Sequence, residues 1–401
     1  MLEGRRFWFV GIGGAGMSAL ALVALEWGAE VGGSDRARSP FVERLEAAGV
    51  PVAIGHDAAN VPEGAEVIVS SAIAPDNPEV AGREVTRRGE LLAELVALRR
   101  SIVVAGAHGK TTTAGMIAFC LDRLGLDPAF LIGGEIPQLG GNARAGEGWL
   151  VAEGDESDRT LELLRPQIAV LTNVGLDHHA TFASESEVRE LFERWLAGVP
   201  AVVRGDELEP VDLELAVPGE HNRRNAAAAL AALELAGVRR EEAERVLREF
   251  EGAGRRFERR GEAGGVRVFD DYGHNPAKIA ATLEAARTVA GDGRVLVLFQ
   301  PHLYSRTRHV AGELATALAA ADAVAVTEVY AARESPEPGV DGKLVVDALA
   351  SERPGMQVGW MPSLEDGARF VSRRARAGDV VLTIGAGDVD RAAPLILQGL
   401  A

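Results

Sequence analysis

Short apolar runs alternate with helix-length segments along almost the whole chain, and this alternation limits the fold more than any single motif does. Runs that are apolar throughout need cover on both faces. The segments between them are long enough to be crossover helices, so the pattern predicts parallel sheets of the α/β class. The 401 residues exceed what one ordinary core accommodates, and they divide into three blocks. The first holds "FWFVGI" (7–12), "EVGGSD" (30–35), "VAI" (52–54) and "EVIVSS" (66–71), then a helix ending near Arg100. The second opens at "SIVVAG", continues through "WLVAEGD" (149–155) and "IAVLTNVG" (168–175), and closes with helices over 225–237 and 240–250. Residues 251–265 are polar, basic and rich in glycine and alanine without an apolar period, which reads as an exposed hinge. Beyond it "VRVFD", "RVLVLF", "DAVAVTEV", "MQVGW" and "DVVLTIGAG" predict a third sheet of doubly wound topology. We place the domains at 1–98, 99–253 and 254–401.

Composition narrows what such sheets would bind. Apolar residues are 47% and charged ones 25%, as in an ordinary globular protein, and no uninterrupted apolar run is long enough to span a bilayer. The opening "MLEGRRFWFVGIGG" puts basic residues before an apolar stretch, but that stretch runs into a glycine turn instead of a cleavage site, so it reads as a buried strand. A formal charge of -17 opposes broad contact with nucleic acid or an anionic membrane. Any phosphate ligand therefore needs a local site. The single cysteine, Cys120, excludes an internal disulfide and a cysteine-type metal cluster, and fits a reducing cytoplasm.

Two glycine-rich turns qualify as such sites. In "VVAGAHGKTTTAG" (103–115) a strand, a turn with Gly106 and Gly109, and a helix follow one another. The commonest phosphate loop has a glycine where this chain has Val104, so the loop is a shorter form. Its backbone N–H groups and helix start would face phosphate oxygens, Lys110 would reach the outer phosphates, and the Thr111 hydroxyl could ligate magnesium. The second turn, "GIGGAG" (11–16), places Gly11, Gly13 and Gly16 between a strand and a helix, with Asp35 ending the next strand where such folds bind a ribose hydroxyl. A nicotinamide cofactor or a nucleotide sugar would satisfy it equally, since both present a diphosphate.

Charged residues collect at strand ends. Glu153, in "AEGDESD" (152–158), stands where a magnesium-holding acid is expected, and "TNVGLDHHATF" (172–182) adds Asp177, His178 and His179. In the third block "FDDYGHNP" (269–276) and "FQPHLYSRTR" (299–308) supply Asp270, Asp271, His274, Arg306 and Arg308 as anchors for phosphate or a carboxylate, against the plain alternative of a surface ion cluster.

Taken in order, "GIGGAGMSALA", "GSD", "SSAIAPDNPE", "GAHGKTTT", "AEGDESD", "TNVGLDHH", "PGEHNRRNAAAA", "GAGRRFE", "DDYGHNP", "FQPHLYSRTR" and "TIGAGDVD" resemble the motifs of the Mur ligase family, from residue 11 to 390. The resemblance implies three domains: an N-terminal Rossmann-like one for a UDP-sugar, a central P-loop ATPase-like one with a mostly parallel sheet, and a C-terminal Rossmann-like one for an amino acid. The nearest branch joins L-alanine to UDP-N-acetylmuramate with ATP and Mg2+, through an acyl phosphate, in peptidoglycan precursor synthesis. By the same resemblance Gly11, Gly13, Gly14, Gly16, Met17, Asp35, Ser70, Ser71 and Arg256 would serve the UDP-sugar. Gly106, His108, Gly109, Lys110, Thr111, Thr112, His221, Asn222, Asn225 and Asp271 would serve ATP. Thr111, Glu153 and His178 would hold magnesium, and Tyr272, His274 and Arg306 would meet the amino acid. Lys110, His178, His274 and Arg306 are the implied catalytic group.

The chain departs from the family pattern at three places. Ala180 follows "DHH" where the family usually has Asp after "DHM", and Leu303 stands where it typically has Arg. The stretch from His179 to Pro218 is shorter, which predicts that a small extra sheet of the central domain is trimmed. Three rival readings stay open: a ligase that attaches a recycled tripeptide to the same sugar nucleotide, a non-catalytic nucleotide-binding relative, and a nicotinamide dehydrogenase. The last predicts tight NADH binding and no use for "GAHGKTTT"; a fluorescence titration with NADH is expected to show no saturable binding.

Overall fold

A computed structural model describes residues 1–70, 72–156, 159–176, 181–332 and 334–401. The first sheet contains β1 (Arg6–Val10), β2 (Glu30–Asp35), β3 (Val52–Ile54), β4 (Glu66–Val69) and β5 (Val85–Arg87), in the order β3-β2-β1-β4-β5 and parallel throughout. Its helices are α1 (Ala15–Glu26), α2 (Pro40–Ala47) and α3 (Arg88–Leu98). The order reverses at β1, so the crevice where ligands bind in such sheets opens beside the "GIGGAG" turn at the end of β1. Phe7, Phe9, Leu20 and Val23 are buried between α1 and the sheet, which fixes the helix start at the strand ends.

The second sheet has β6 (Ser101–Ala105), β7 (Ala129–Ile136), β8 (Gly141–Arg144), β9 (Leu150–Glu153), β10 (Ile168–Leu171) and β11 (Ala201–Arg204), in the order β11-β10-β6-β9-β7-β8. Only β8 is antiparallel, as the return arm of a hairpin with β7. Four helices accompany it: α4 (Lys110–Arg123), α5 (Glu185–Leu196), α6 (Glu220–Leu235) and α7 (Arg240–Leu247). β6 is buried along its whole length at the middle of the sheet and delivers the "GAHGKTTT" turn to the start of α4. Between Arg204 and Glu220 the chain makes one short turn of 3-10 helix and no strand, in keeping with a trimmed central domain. These two sheets form one compact unit, Met1–Ala216 with Glu220–Ala253.

The second unit, Val217–Gly219 with Gly254–Ala401, holds the third sheet. Its strands are β12 (Glu258–Ala263), β13 (Val266–Asp271), β14 (Val295–Phe299), β15 (Ala323–Val326), β16 (Gln357–Trp360) and β17 (Val380–Ile384), ordered β12-β13-β17-β14-β15-β16. The helices are α8 (Pro276–Ala290), α9 (Tyr304–Leu318), α10 (Gly342–Glu352), α11 (Leu364–Ser372) and α12 (Ala392–Leu400). β12 corrects the expectation that 251–265 is hinge throughout: residues 258–263 pair antiparallel with β13 at the sheet edge. An edge strand carries charge that blocks further pairing, so "ERRGEA" has no apolar alternation to betray it. Among the described residues no helix is long and apolar enough to cross a membrane.

One buried carboxylate organises the first sheet. Glu79 has no exposed surface and accepts hydrogen bonds from the Ser34 hydroxyl, Asn60 Nδ2 (2.7 Å), the Asp57 amide (3.2 Å) and Trp8 Nε1 (3.4 Å). Burial pushes its carboxyl up, but these donors together hold it below the usual range. The folded state therefore favours the charged form. That stabilisation is present above the ordinary carboxylate range and is lost as pH falls through the depressed folded value. Glu79→Gln is expected to cost roughly 2–4 kcal/mol near neutral pH, because donors are left unpaired in the core. The gap to the parent chain should narrow on acidification, which urea melts across a pH series would measure.

Candidate active site

The first turn is held by its neighbours' main chain. The amides of Gly11 and Ile12 both donate to the Ser34 carbonyl, at 2.8 and 2.9 Å, and the Gly13 amide donates to Asp35 Oδ2 at 2.9 Å. A Cβ on Gly13 would lie 2.9 Å from both Asp35 Oδ2 and Val42 Cγ2, so this position admits only glycine without a shift. Gly14 caps α1, whose first turn carries no acidic residue to compete with an anion. Ser70 faces Gly11, its hydroxyl 3.8 Å from where a Cβ would stand. Ser71 lies outside the described residues. Met17, in the first turn of α1, has a side chain 2% exposed that packs in the core. The motifs missed Arg88, whose Nη1 is 3.1 Å from the place a Gly16 Cβ would occupy and which pairs with Asp155 at 3.8 Å. It supplies the turn's nearby cation.

The second turn is built more tightly. Gly106 has φ 132° and Gly109 φ 82°, and a Cβ on either would lie 2.3 Å from a side-chain oxygen, of Thr172 and Asn225 respectively. Thr172 donates to the His108 carbonyl at 2.6 Å, and Asn173 both donates to that carbonyl (2.9 Å) and accepts from the His108 amide (3.0 Å). "TNVG" is therefore the brace of the turn. Thr111 and Thr112 are buried in the first turn of α4, and Asn222 and Asn225 are buried on α6, joined at 3.3 Å with Asn225 against Gly109. His221 is exposed at the start of α6. Lys110 Nζ bonds the Gly106 carbonyl at 2.6 Å and both oxygens of buried Glu156 at 3.1 and 3.3 Å. Glu156 was not singled out from the four acids of "AEGDESD", because sequence alone does not say which one turns inward.

On the metal side, Glu153 Oε1 accepts from the Gly133 amide at 2.6 Å. The next residue, Gly134, stands against Thr111, with Cγ2 3.0 Å from a built Cβ. Glu153 and Thr111 thus flank the same two glycines of β7, and both offer the hard oxygen donors magnesium takes. Asp177, His178, His179 and Ala180 lie outside the described residues.

In the second unit the paired aspartates behave differently from expectation. Asp270 is buried between Arg255 Nε (2.9 Å) and the Thr383 hydroxyl, and burial pushes its carboxyl up despite the Arg255 charge. Asp271 accepts from the Gly273 amide and the Thr282 hydroxyl on Oδ1, at 2.8 and 3.0 Å, and from the Phe257 amide on Oδ2 at 2.8 Å. Asp271 was expected at ATP and Asp270 at a phosphate or carboxylate; in this structure both carboxylates are taken up by donors from the surrounding elements, Arg255, Phe257, Gly273, Thr282 and Thr383. Arg308 is half-exposed and pairs with Glu337. Tyr272 and His274 are in contact, and His302 links His274 to Arg306. Tyr272 and His274 rings pack edge to face at 5.5 Å, His274 lies 5.9 Å from His302, and Arg306 Nη1 lies 3.0 Å from His302 Nδ1. Tyr330 stacks on His302, and Arg256 sits over the Tyr272 ring. Arg255, the other arginine of "GRRFE", spends its guanidinium on Asp270 and the Gly385 and Gly387 carbonyls. Leu303 takes φ 68°, uncommon for a side chain, while its amide bonds the Tyr330 carbonyl at 2.9 Å.

Residues 6–100 match the catalytic domain of the Mur ligase family, 104–207 its middle domain, and 255–387 its glutamate ligase domain. The chain belongs to the Mur ligase family. A UDP-N-acetylmuramate--L-alanine ligase of Renibacterium salmoninarum is 42% identical over 453 residues, covering 99% of this chain and 96% of that one. The protein of that name from Rubrobacter xylanophilus is 42% identical over 442 residues, covering 98% and 99%. Both alignments run longer than the 401 residues here, so these Mur ligases carry residues this chain lacks. Among solved structures, the UDP-N-acetylmuramate-alanine ligase of Thermotoga maritima superposes with a TM-score of 0.85 at 28% identity, over 98% of each chain. A murein peptide ligase from Psychrobacter arcticus gives 0.69 at 25% identity over 99% of each.

The two glycine turns of this Mur ligase are expected to be separable by substitution. Gly109→Ala, which drives a Cβ into Asn225 at a left-handed backbone position, is expected to weaken ATP binding at least about tenfold and spare the UDP-sugar. Gly13→Val should do the reverse, and calorimetry with each nucleotide alone reads both.

Proposed function

We infer that the chain is an ATP-dependent ligase joining L-alanine to the carboxylate of UDP-N-acetylmuramate, releasing ADP and phosphate, in peptidoglycan precursor synthesis. The observation that carries this is full-length similarity to ligases of that name, together with a braced phosphate loop and a second diphosphate turn in one compact unit. A carboxylate is a poor acylating agent. One of its oxygens therefore attacks the terminal phosphorus of ATP, the bond to the bridging oxygen breaks, and ADP leaves. The free amine of L-alanine then attacks the acyl carbon of the mixed anhydride; phosphate departs with the electron pair, and the amine gives up a proton.

The residues suit these steps. Lys110, now lodged between the Gly106 carbonyl and Glu156, reaches the outer phosphates by exchanging those partners for phosphoryl oxygens. The α4 start adds backbone N–H donors, with Asn222 and Asn225 on the adenine side. Magnesium, held by Thr111, Glu153 and His178, would neutralise phosphoryl charge. Arg306 would take the L-alanine carboxylate, while Tyr272 and His274 border its amine and methyl. The UDP-sugar lies along Gly11, Gly13, Gly14 and Gly16, with Asp35, Ser70, Ser71 and Arg256 as further contacts. These precursors are made in the cytoplasm, the compartment the lone buried thiol of Cys120 suits.

Phosphate release from ATP and magnesium is the direct test. Release is expected only with UDP-N-acetylmuramate and L-alanine together, and Lys110→Ala should lower it by about 10³-fold with UDP-sugar affinity unchanged. Release with a muropeptide-type tripeptide but not with L-alanine would assign the chain to recycling. No release with any acceptor, despite nucleotide binding, would favour a non-catalytic role.

A further inference from the structure

The hairpin of β7 and β8 belongs to neither glycine turn, yet it touches the surroundings of both. On the β7 side, Gly133 donates to Glu153 and Gly134 stands against Thr111, the two oxygen donors described above. On the β8 side the hairpin is tied along α1. Asn142 Nδ2 donates to the Ala15 carbonyl at 3.0 Å, and just past the strand the Ala145 amide donates to Glu26 Oε2 at 2.7 Å. These are the first and last residues of α1. Asn142 has no exposed surface, so it acts through what it holds and not by meeting a ligand. Arg44 of α2 closes the arrangement, donating to Asn142 Oδ1 at 3.3 Å and to the Ala143 carbonyl at 3.4 Å. Gly141 makes room for it: its φ is 151° and a Cβ there would fall 2.0 Å from Arg44 Nη1.

We propose that Asn142 is a positioning residue that fixes the start of α1, which carries the diphosphate turn, against the strand that lines the Glu153–Thr111 side of the second sheet. This rests on the ligase reading. The two reactants of the first step, the sugar carboxylate and the terminal phosphoryl group, are held by different sheets, and the Asn142 amide is a buried polar link between the structures that hold them. A misplacement of about 1 Å between reacting groups lowers a rate by up to about 10²-fold without requiring any loss of binding. Removing the link should therefore appear in kcat, where a residue supporting one pocket would appear in the affinity of one nucleotide.

Asn142→Asp keeps the shape and removes the donor; Arg44→Met, at a half-exposed position, loosens the same link from the other side and guards against a misfolded first variant. Expected for both are a cooperative melt, affinities for ATP and for UDP-N-acetylmuramate measured singly within about threefold of the parent chain, and kcat reduced about tenfold or more. An unchanged kcat, or a loss matched by one nucleotide's affinity, would overturn the inference while leaving the ligase reading intact. A parent chain that releases no phosphate overturns the ligase reading first, and this inference with it.

Discussion

A chain of formal charge -17 that binds two polyanionic nucleotides cannot rely on its overall field, and the structure answers with main-chain dipoles. Both glycine turns lead into a helix start, and at Gly13, Gly106 and Gly109 there is no room for a Cβ. Each turn is held in shape by a brace: the Ser34 carbonyl and Asp35 for the first, Thr172 and Asn173 for the second. Each brace comes from the end of a neighbouring parallel strand, β2 beside β1 and β10 beside β6. The sites thus depend on register. A slip of β2 against β1 by one residue would remove the Ser34 carbonyl from two amides and turn Asp35 away from Gly13.

Buried carboxylates hold the frame around those turns, and they divide by what surrounds them. Glu79, Asp270 and Asp271 are satisfied by donors from their own domain, and their bonds shape loops at the strand ends. Glu156 is also buried, and it pairs with the ammonium of Lys110, a group that phosphate also attracts. A carboxylate filled by amides and hydroxyls holds its loop because displacing those donors would strand them unpaired.

The glycine turns, the central strands and the order of domains were legible in the sequence because each leaves a local mark: an apolar run, a glycine where φ is positive, a helix period. The role of Asp271 was not. "DDYGHNP" advertises two acids at a strand end, and only the fold reveals that Phe257, Gly273 and Thr282 consume the second. Arg255 misleads in the same way, since "GRRFE" gives no hint that both arginines lie over Tyr272 while only the first clamps two glycine carbonyls. β12 and the β7–β8 hairpin were missed for a different reason. β12 and β8 are edge strands with polar or charged residues and no apolar alternation, and the apolar run of β7, "AFLI", is too short to be told from a helix segment by its pattern alone.

The place of the hairpin in the second sheet gives it added weight. With no strand between Arg204 and Glu220, β11 and β8 are the two margins of the second sheet, and β8 is the margin that packs on α1. Its packing there is small-residue against backbone: Gly141 admits Arg44, and Asn142 reaches a main-chain carbonyl. Contacts of this kind tolerate little substitution, yet they bury modest apolar area and contribute correspondingly little to stability. Their consequence is geometric. Two sheets joined by side-chain packing alone could settle over a range of angles, whereas a hydrogen bond from a fully buried amide to the first residue of α1 selects one.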